Sequence, residues 1–532
     1  MANGSSKGKS QTPEIVSVTA GQLEALLLEL RTHLPLKLYE RVEALLRTLQ
    51  WVMEKIEKAQ TTIGRLHRLI FGALTEKLGE IFSKPPVSDP PVKKKRAKGR
   101  SHGRNGAGQY AGARPVAVSH PTLRAGDPCP HCLGKGKLGP QEPTRLVRIT
   151  AQPILTATVF SLQKFRCHLC GQLFTAPVPP EAGPAKYAPN VGLMLGFLRF
   201  GAGLPHYRME KIQRDFGVPM PQSTQWELMA EAARDLEPVG EELLTVAASG
   251  ELLHNDDTPM RVQSLKKEKA AAHSERTGIF TTNLISQVGP HQIALFLTGG
   301  RHAGENLDLV LKARAAELAK PLHMCDALPC NLSKEFEVLL CHCLPHGRRK
   351  FVEVAESFPA ECRKVLESLA QVFKQDAEAR EQKLEGEQRL RFHQEHSQPV
   401  MTGLREWMRE QMDQKKVEPN SGLGEAIAYM LKHWEPLTLF LRHPGAPLSN
   451  NICERALKMA ITHRKNSLGY KTANGARIGD LFMSLIHTCR LNEANPFEYL
   501  TTLQRQAEAV KARPGQWLPW NFRQTLASRP VG

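Results

Sequence analysis

Chemistry-bearing side chains gather in three stretches. The first, ELLHNDDTP from residue 251, places Asp256 and Asp257 after a short strand-like run. The second, KPLHMCDAL from residue 320, ends its apolar run at Asp326. The third, SNNICERALKMAITHRKNSLGY from residue 449, carries Glu454 with Lys458, Arg464 and Lys465 behind it. Three converging carboxylates would hold two Mg²⁺ ions about 3.5–4 Å apart, one activating a water or 3′-hydroxyl and the other stabilising the leaving oxygen at phosphorus. Carboxylate oxygens are the hard ligands Mg²⁺ prefers, with Mn²⁺ as a substitute, and partial hydration leaves room for phosphate. Side-chain type alone does not select Glu454. Residues 355–415 are rich in Glu, and helix salt bridges commonly set an acid among bases. Nor does strand alternation choose between Asp256 and Asp257; it only sends them to opposite faces.

A second chemistry comes from cysteine. CPHC (Cys129, Cys132) and CHLC (Cys167, Cys170) are two short knuckles, each aiming two thiolates at one metal. Four soft ligands in that spacing suit one tetrahedral structural Zn²⁺. The segment between the pairs, residues 144–165, has the strand-like composition of a hairpin. His131 and His168 fall inside the knuckles and are surplus to a closed site. The run Cys341, His342, Cys343, His346 is too cramped for a second closed tetrahedral site and has no second knuckle. Cys325, Cys330, Cys362, Cys453 and Cys489 read as ordinary thiols.

These groups need elements to position them. Residues 249–330 read as strand, strand, strand, helix, strand, with acids ending the first and fourth strands. In a mixed sheet the fourth strand can lie beside the first, which brings Asp256 and Asp326 together. Ser449 or Asn450 can cap the helix that carries Glu454 in its first turns. Upstream, GLPHYRMEKIQRDFG and a second helix capped near Ser223 or Thr224 outline a helix-turn-helix, as any helical hairpin would. From Val42 a heptad runs through Leu49, Ile56, Ile63 and Ile70, with Leu45, Val52, Ala59 and Leu66 as the second seam. It suits a parallel coiled-coil dimer, or a helix folded back on Leu23–Leu30. A Pro-rich stretch then leads into a flexible basic arm that includes Lys93, Lys94, Lys95 and Arg96; a solvated tether does not need so many charges of one sign, which favours phosphate contact.

The expected fold class is multidomain α+β. A disordered start (1–20) precedes a helical, leucine-rich segment (21–83) and a flexible basic linker (84–122). A zinc ribbon (123–182) and a helical, DNA-binding segment (183–247) follow. The catalytic core comes in two parts (248–354 and 441–495) around a helical insertion (355–440) expected to stand outside the sheet. A C-terminal helix and tail (496–532) close the chain. Lys and Arg number 71 against 53 for Asp and Glu, a net charge of +18, which favours a polyanionic partner, nucleic acid foremost. No stretch is long and apolar enough to span a bilayer, and the N-terminus lacks a signal-peptide core. The expected setting is therefore the bacterial cytoplasm, at the nucleoid, where eleven cysteines would not form a disulfide framework.

Several motifs in order resemble the DDE-class transposases of the bacterial insertion sequence sixty-six family. They are IGRLHRLIFGALTEKL at 63, the two cysteine pairs, GLPHYRMEKIQRDFGVPM at 203, DDTP at 256, CLPHGRRKF at 343, SNNICERALK at 449 and HRKNSLGY at 463. The resemblance runs from about residue 62 to the C-terminus. It implies a ribonuclease-H-like core that cuts double-stranded DNA at transposon ends and joins it to a target. It assigns the three acids to Asp256, Asp326 and Glu454. It also implies small accessory proteins encoded by the same element, beside the dimer or higher oligomer that the heptad suggests. His346, Arg348, Arg349 and Lys350 match the family's His-x-Arg-Arg-Lys, a cluster that could neutralise phosphates beside the reacting strand; Lys458, Arg464 and Lys465 would add DNA contacts. The chain departs from the family at Asp257 (usually Glu), at Ala327 and Leu328 (usually Gly and Tyr) and at Ser467 (usually Trp). Those departures motivate an alternative, a catalytically silent zinc-dependent DNA-binding protein.

Overall fold

The computed structural model describes residues 20–47 and 116–528, apart from 36, 37, 40, 129, 132–135, 143, 145, 148, 150–153 and 171. Most of the heptad, the arm with Lys93, Lys94, Lys95 and Arg96, and the cysteine pair Cys129 and Cys132 lie outside the described residues. Among the described residues, 20–47 with 350–367 belong to one unit, and 116–349 with 368–528 to a second. In the first, helix α1 (Ala20–His33) buries Leu27.

The second unit is mixed α+β. At its start, β1 (Lys164–Arg166) pairs antiparallel with β2 (Leu173–Thr175). The turn between them holds Cys167 and Cys170, and Cys167 N–H donates to the Gln172 carbonyl at 2.9 Å. An antiparallel bridge, Pro128 to Lys137, closes the segment that contains the other cysteine pair. Residues 155–163, expected to supply hairpin strands, have no regular secondary structure. The hairpin is instead the knuckle itself.

Next come α2 (Asn190–Gly196), α3 (His206–Asp215) and α4 (Gln222–Ala247). Gly217, at φ 74°, takes the left-handed turn between α3 and α4. The second helix starts directly after Pro221, with no side-chain cap, so neither Ser223 nor Thr224 caps it: proline already fixes the entry backbone. Met229, Ala233, Leu236, Val239 and Leu243 recur along one face of α4 and are buried in the same core as the sheet. This helix is therefore a structural wall of the sheet-bearing body.

The five-stranded sheet runs β5-β4-β3-β6-β7, built from β3 (Leu252–Pro259), β4 (Phe280–Val288), β5 (His291–Gly299), β6 (Leu322–Cys325) and β7 (Leu339–His342). β3, β4 and β5 pair antiparallel; β3, β6 and β7 pair parallel. The fourth strand of the sequence pattern does lie beside the first. Two elements were missing from that pattern. Helix α5 (Gln263–Ala271) follows β3 with no buried residue, so it has little apolar periodicity to read. β7 is four residues long and parallel, too short for an alternation signal.

Helix α6 (Ala303–Leu311) precedes β6. α7 (Leu344–Val354), α8 (Pro359–Glu381), α9 (Gly386–Asp413) and α10 (Gly422–Lys432) follow β7. α11 (Asn451–Ser467) and α12 (Ala473–Leu491) return to the sheet, and α13 (Pro496–Arg505) packs on α12. Among the described residues, no helix is long and apolar enough to cross a membrane.

Strand β5 is an edge, and its outward N–H groups need acceptors. α12 supplies them. The side chains of Asp480, Ser484, Thr488 and Asn492 accept from the N–H groups of Thr298, Phe296, Ala294 and Gln292 at 2.7, 2.9, 3.0 and 3.2 Å. Four residues of helix rise about 6 Å, close to two residues of strand, so one helix face matches every second strand residue.

A candidate two-metal carboxylate site

The parallel pair β3 and β6 positions the first two acids. Leu252 pairs with Leu322, and His254 with Met324. Two residues further, the same register sets Asp256 against Asp326. Asp326 directly follows the end of β6, but the expected end of the first strand at its acids does not hold: Asp256 lies within β3, which stays paired with β4 as far as Pro259. Glu454 comes from the first turn of α11, which packs across β3 and β4. Burial and then the Asp326 carboxylate push the Asp256 carboxyl up to about 7, with Asp257 and Glu454 adding to the rise and the Asp257 N–H opposing it. The three acids share one electrostatic neighbourhood.

Alternation separates Asp256 from Asp257. Asp256 pairs with Asn283, and Asp257 with Thr282. On the Asn283 face lies α11, whose Cys453 thiol donates to the Asn283 carbonyl at 3.2 Å. On the Thr282 face lies α6, whose Asn306 donates to Thr282 Oγ1 at 2.8 Å. Asp257 accordingly turns to the start of α6: its Oδ2 meets His302 Nδ1 at 2.9 Å. Asp256 keeps the face of Glu454.

A polar lattice beneath the acids was not read from the sequence. Asn331 donates to Asp326 Oδ1 at 2.5 Å, Leu328 N–H donates to the same oxygen at 3.1 Å, and Asn255 donates to the Asn331 carbonyl at 2.9 Å. His323 Nε2 meets Asn255 Oδ1 at 2.9 Å. His254 Nδ1 meets Asn450 Oδ1 at 3.0 Å, and Asn450 donates to the Asn255 carbonyl at 2.9 Å. Burial lowers His254 to about 4 and His323 to about 3, so both rings are neutral. Asn450 does occupy the N-cap of α11, but its side chain makes no cap bond, being committed to β3. The available signal was five consecutive polar residues, His254 to Thr258, inside a strand.

The basic residues are dispersed. His346 lies in the first turn of α7, its Nδ1 3.8 Å from Glu454 Oε1. Arg348 is half-buried on the same helix, and Arg349 and Lys350 are exposed. Lys458 and Lys465 are exposed along α11. Arg464 is bonded to Thr258 Oγ1 at 3.0 Å and to the Pro259 carbonyl, so it ties α11 to the end of β3. The helical segment after β7, expected to stand apart, contributes Tyr429 of α10. Burial and then Asp326 raise that phenol to about 12, which keeps it a hydrogen-bond donor.

At the knuckle, the N–H groups of Cys170 and Leu169 lower the Cys167 thiol below its usual range. Amides aimed at sulfur favour the thiolate that zinc requires.

Comparison with known proteins agrees with this layout. The profile described as "Transposase IS66 family" matches residues 191–478, more than half of the chain and the whole span from α2 to α11. Uncharacterized protein y4hP of Sinorhizobium fredii is 27% identical over 431 residues, covering 78% of this chain and 76% of its own. Uncharacterized protein y4jD of the same organism is 24% identical over 516 residues, covering 91% and 98%. The matched span contains all three converging acids together with the sheet and helices that hold them, and the chain belongs to the IS66 transposase family.

Proposed function

We propose that the chain is an active DNA transposase. It binds the terminal inverted repeats of its element and catalyses Mg²⁺-dependent strand cleavage and strand transfer on a ribonuclease-H-like core. The observation that carries this reading is the register that sets Asp256 against Asp326, with Glu454 entering from α11. The sheet order, three antiparallel strands continued by two parallel ones, supports the core assignment. The donor set fits magnesium: three carboxylate side chains, one of them holding its proton to about pH 7 because burial, and then neighbouring like charges, disfavour its ionised form.

Two bound Mg²⁺ ions would neutralise that crowding and supply the Lewis acidity for attack at phosphorus. Asp256, Asp326 and Glu454 would hold them. Asn331 and the Leu328 N–H fix the Asp326 carboxylate, and Asp256 would serve as a ligand in its deprotonated form. Exposed Lys458, Arg349 and Lys350 would meet the DNA backbone. Zinc in the Cys129, Cys132, Cys167, Cys170 ribbon, a dimer or higher oligomer, accessory proteins from the same element and a place at the nucleoid complete the proposal.

The test is incubation with Mg²⁺ and DNA carrying the element's own ends, beside Asp326→Asn. Nicked and joined products from the parent, and none from the variant, are expected. End binding without any product from the parent would assign the chain to the silent, DNA-binding class instead.

A further inference from the structure

Glu454 faces a second set of ligand atoms. Cys343 Sγ, His346 Nδ1 and a Glu454 carboxylate oxygen all lie within 4.8 Å of one another. His346 Nδ1 and Glu454 Oε1 are buried atoms without a hydrogen-bond partner, and they stand 3.8 Å apart. That is too long for a hydrogen bond, while a tetrahedral zinc-class ion, with bonds near 2.0–2.3 Å, spaces its ligand atoms by about 3.4–3.6 Å. Buried polar atoms are normally satisfied, so two orphans facing each other beside a thiol call for an explanation. The backbone around them is held: Cys343 immediately precedes α7, Glu454 is in the first turn of α11, and Asn450 N–H donates to Cys343 Sγ at 3.2 Å. The His346 and Glu454 side chains keep 26% and 32% exposure, which leaves an ion a way in. The other such group among the described residues, Asp257 with His302 and Cys330, has its histidine already bonded to the acid at 2.9 Å.

We infer that Cys343, His346 and Glu454 form a site for one zinc-class divalent cation, three protein ligands with the fourth position open, whose occupancy withdraws Glu454 from the Asp256–Asp326 pair. The soft thiolate and imidazole select zinc over magnesium, and the Cys343 thiol releases its proton to solvent on binding. The cramped cysteine-histidine run thus ligates through Cys343 and His346 only, and its third ligand comes from a helix more than a hundred residues away in the sequence. The inhibitory consequence rests on the transposase reading; the binding does not.

Full-length parent, Cys343→Ser, His346→Gln and Cys341→Ser are titrated with Co²⁺ alone and followed by absorption and by metal content. Parent and Cys341→Ser are expected to bind one more cobalt per chain than the other two, with added thiolate-to-cobalt absorption. His346→Gln, at a half-exposed position, guards against loss of folding in Cys343→Ser. Equal stoichiometry and spectra in all four proteins would overturn the site. In a second arm, Zn²⁺ is titrated into Mg²⁺-supported DNA cleavage, and Cys343→Ser should require at least about tenfold more zinc for the same inhibition. Extra cobalt in a parent that cuts no DNA would leave the site standing and sink the transposase reading. DNA cleavage by a parent that binds no extra cobalt would do the reverse.

Discussion

At the scale of single residues, two adjacent aspartates have different work because a strand has two faces. Asp256 shares the α11 face with Glu454, while Asp257 is committed to His302 at the start of α6. In a cleavage assay Asp256→Ala should abolish product, whereas Asp257→Ala should only weaken it; the opposite ranking would show that Asp257 carries the metals. Asp256 also makes a pH prediction. Its folded value, about 7, lies above the ordinary 3.8. A raised value stabilises the fold fully below pH ~4, and that contribution is lost as pH rises through about 7. Without metal, the parent should therefore lose stability relative to Asp256→Asn between pH 4 and 8, by on the order of 2–4 kcal/mol. Mg²⁺ should return it to the parent above pH 7 and do less for the variant. Thermal unfolding across that range checks both signs, and parallel curves with and without Mg²⁺ would remove Asp256 from the metal site. Asp480, fully buried and also raised to about 7, loses stability in the same window, so the comparison must be with the variant rather than with an absolute curve.

At the scale of elements, the strands were readable where they were long or marked by an acid. β4 and β5 are nine residues each, and β3 and β6 announced themselves through Asp256 and Asp326. Short parallel β7 and unburied α5 carried no periodic signal, and Pro221 rather than a hydroxyl began α4. Asp256 and Asp326 were nameable because carboxylates are rare within or directly after a buried strand. The lattice of Asn255, Asn331 and Asn450 was not, because amides reveal their role only once distant segments meet. The edge cover of β5 belongs to the same class. Asp480, Ser484, Thr488 and Asn492 recur every four residues on a helix that is largely buried, a spacing interpretable only with β5 opposite. Ser484→Ala leaves the buried Phe296 N–H without its acceptor and should cost about 1–3 kcal/mol. Chemical denaturation would measure it; a change below about 0.5 kcal/mol, the range of ordinary surface substitutions, would mean that water replaces the hydroxyl. The SLGY turn after α11 makes a sharper demand. Gly469 sits at φ 103°, and an added Cβ would run into the Arg261 carbonyl oxygen. Tyr470 N–H donates to that same carbonyl at 2.8 Å. Gly469→Ala should destabilise the fold by at least about 1–3 kcal/mol and disturb the end of β3, where Arg464 also holds on.

At the scale of the whole molecule, charge is the property that no single site explains. An excess of +18 is far more than the three candidate acids need for balance. Among the basic side chains near those acids, Arg464 is bonded to β3 and His346 faces Glu454. Lys458 and Lys465 are exposed on α11, and Arg349 and Lys350 on α7, but these few cations are a small footing for duplex DNA, with one negative charge per about 1.7 Å of helix axis. On the proposed transposase function, bulk affinity for DNA would then come from basic residues elsewhere, and the densest group in the sequence is the run of Lys93, Lys94, Lys95 and Arg96. A run of like charge tracks a phosphate backbone without reading bases, so its contribution is sequence-independent and set by counterion release. Replacing these four residues with Gln should weaken binding to cognate and unrelated DNA alike. It should flatten the plot of log affinity against log salt by roughly 0.9 for each phosphate no longer neutralised. Cleavage per bound complex should persist, because the carboxylates are untouched. An unchanged slope would reduce the run to a tether and move the search for phosphate-binding residues to Arg349, Lys350 and the exposed face of α11.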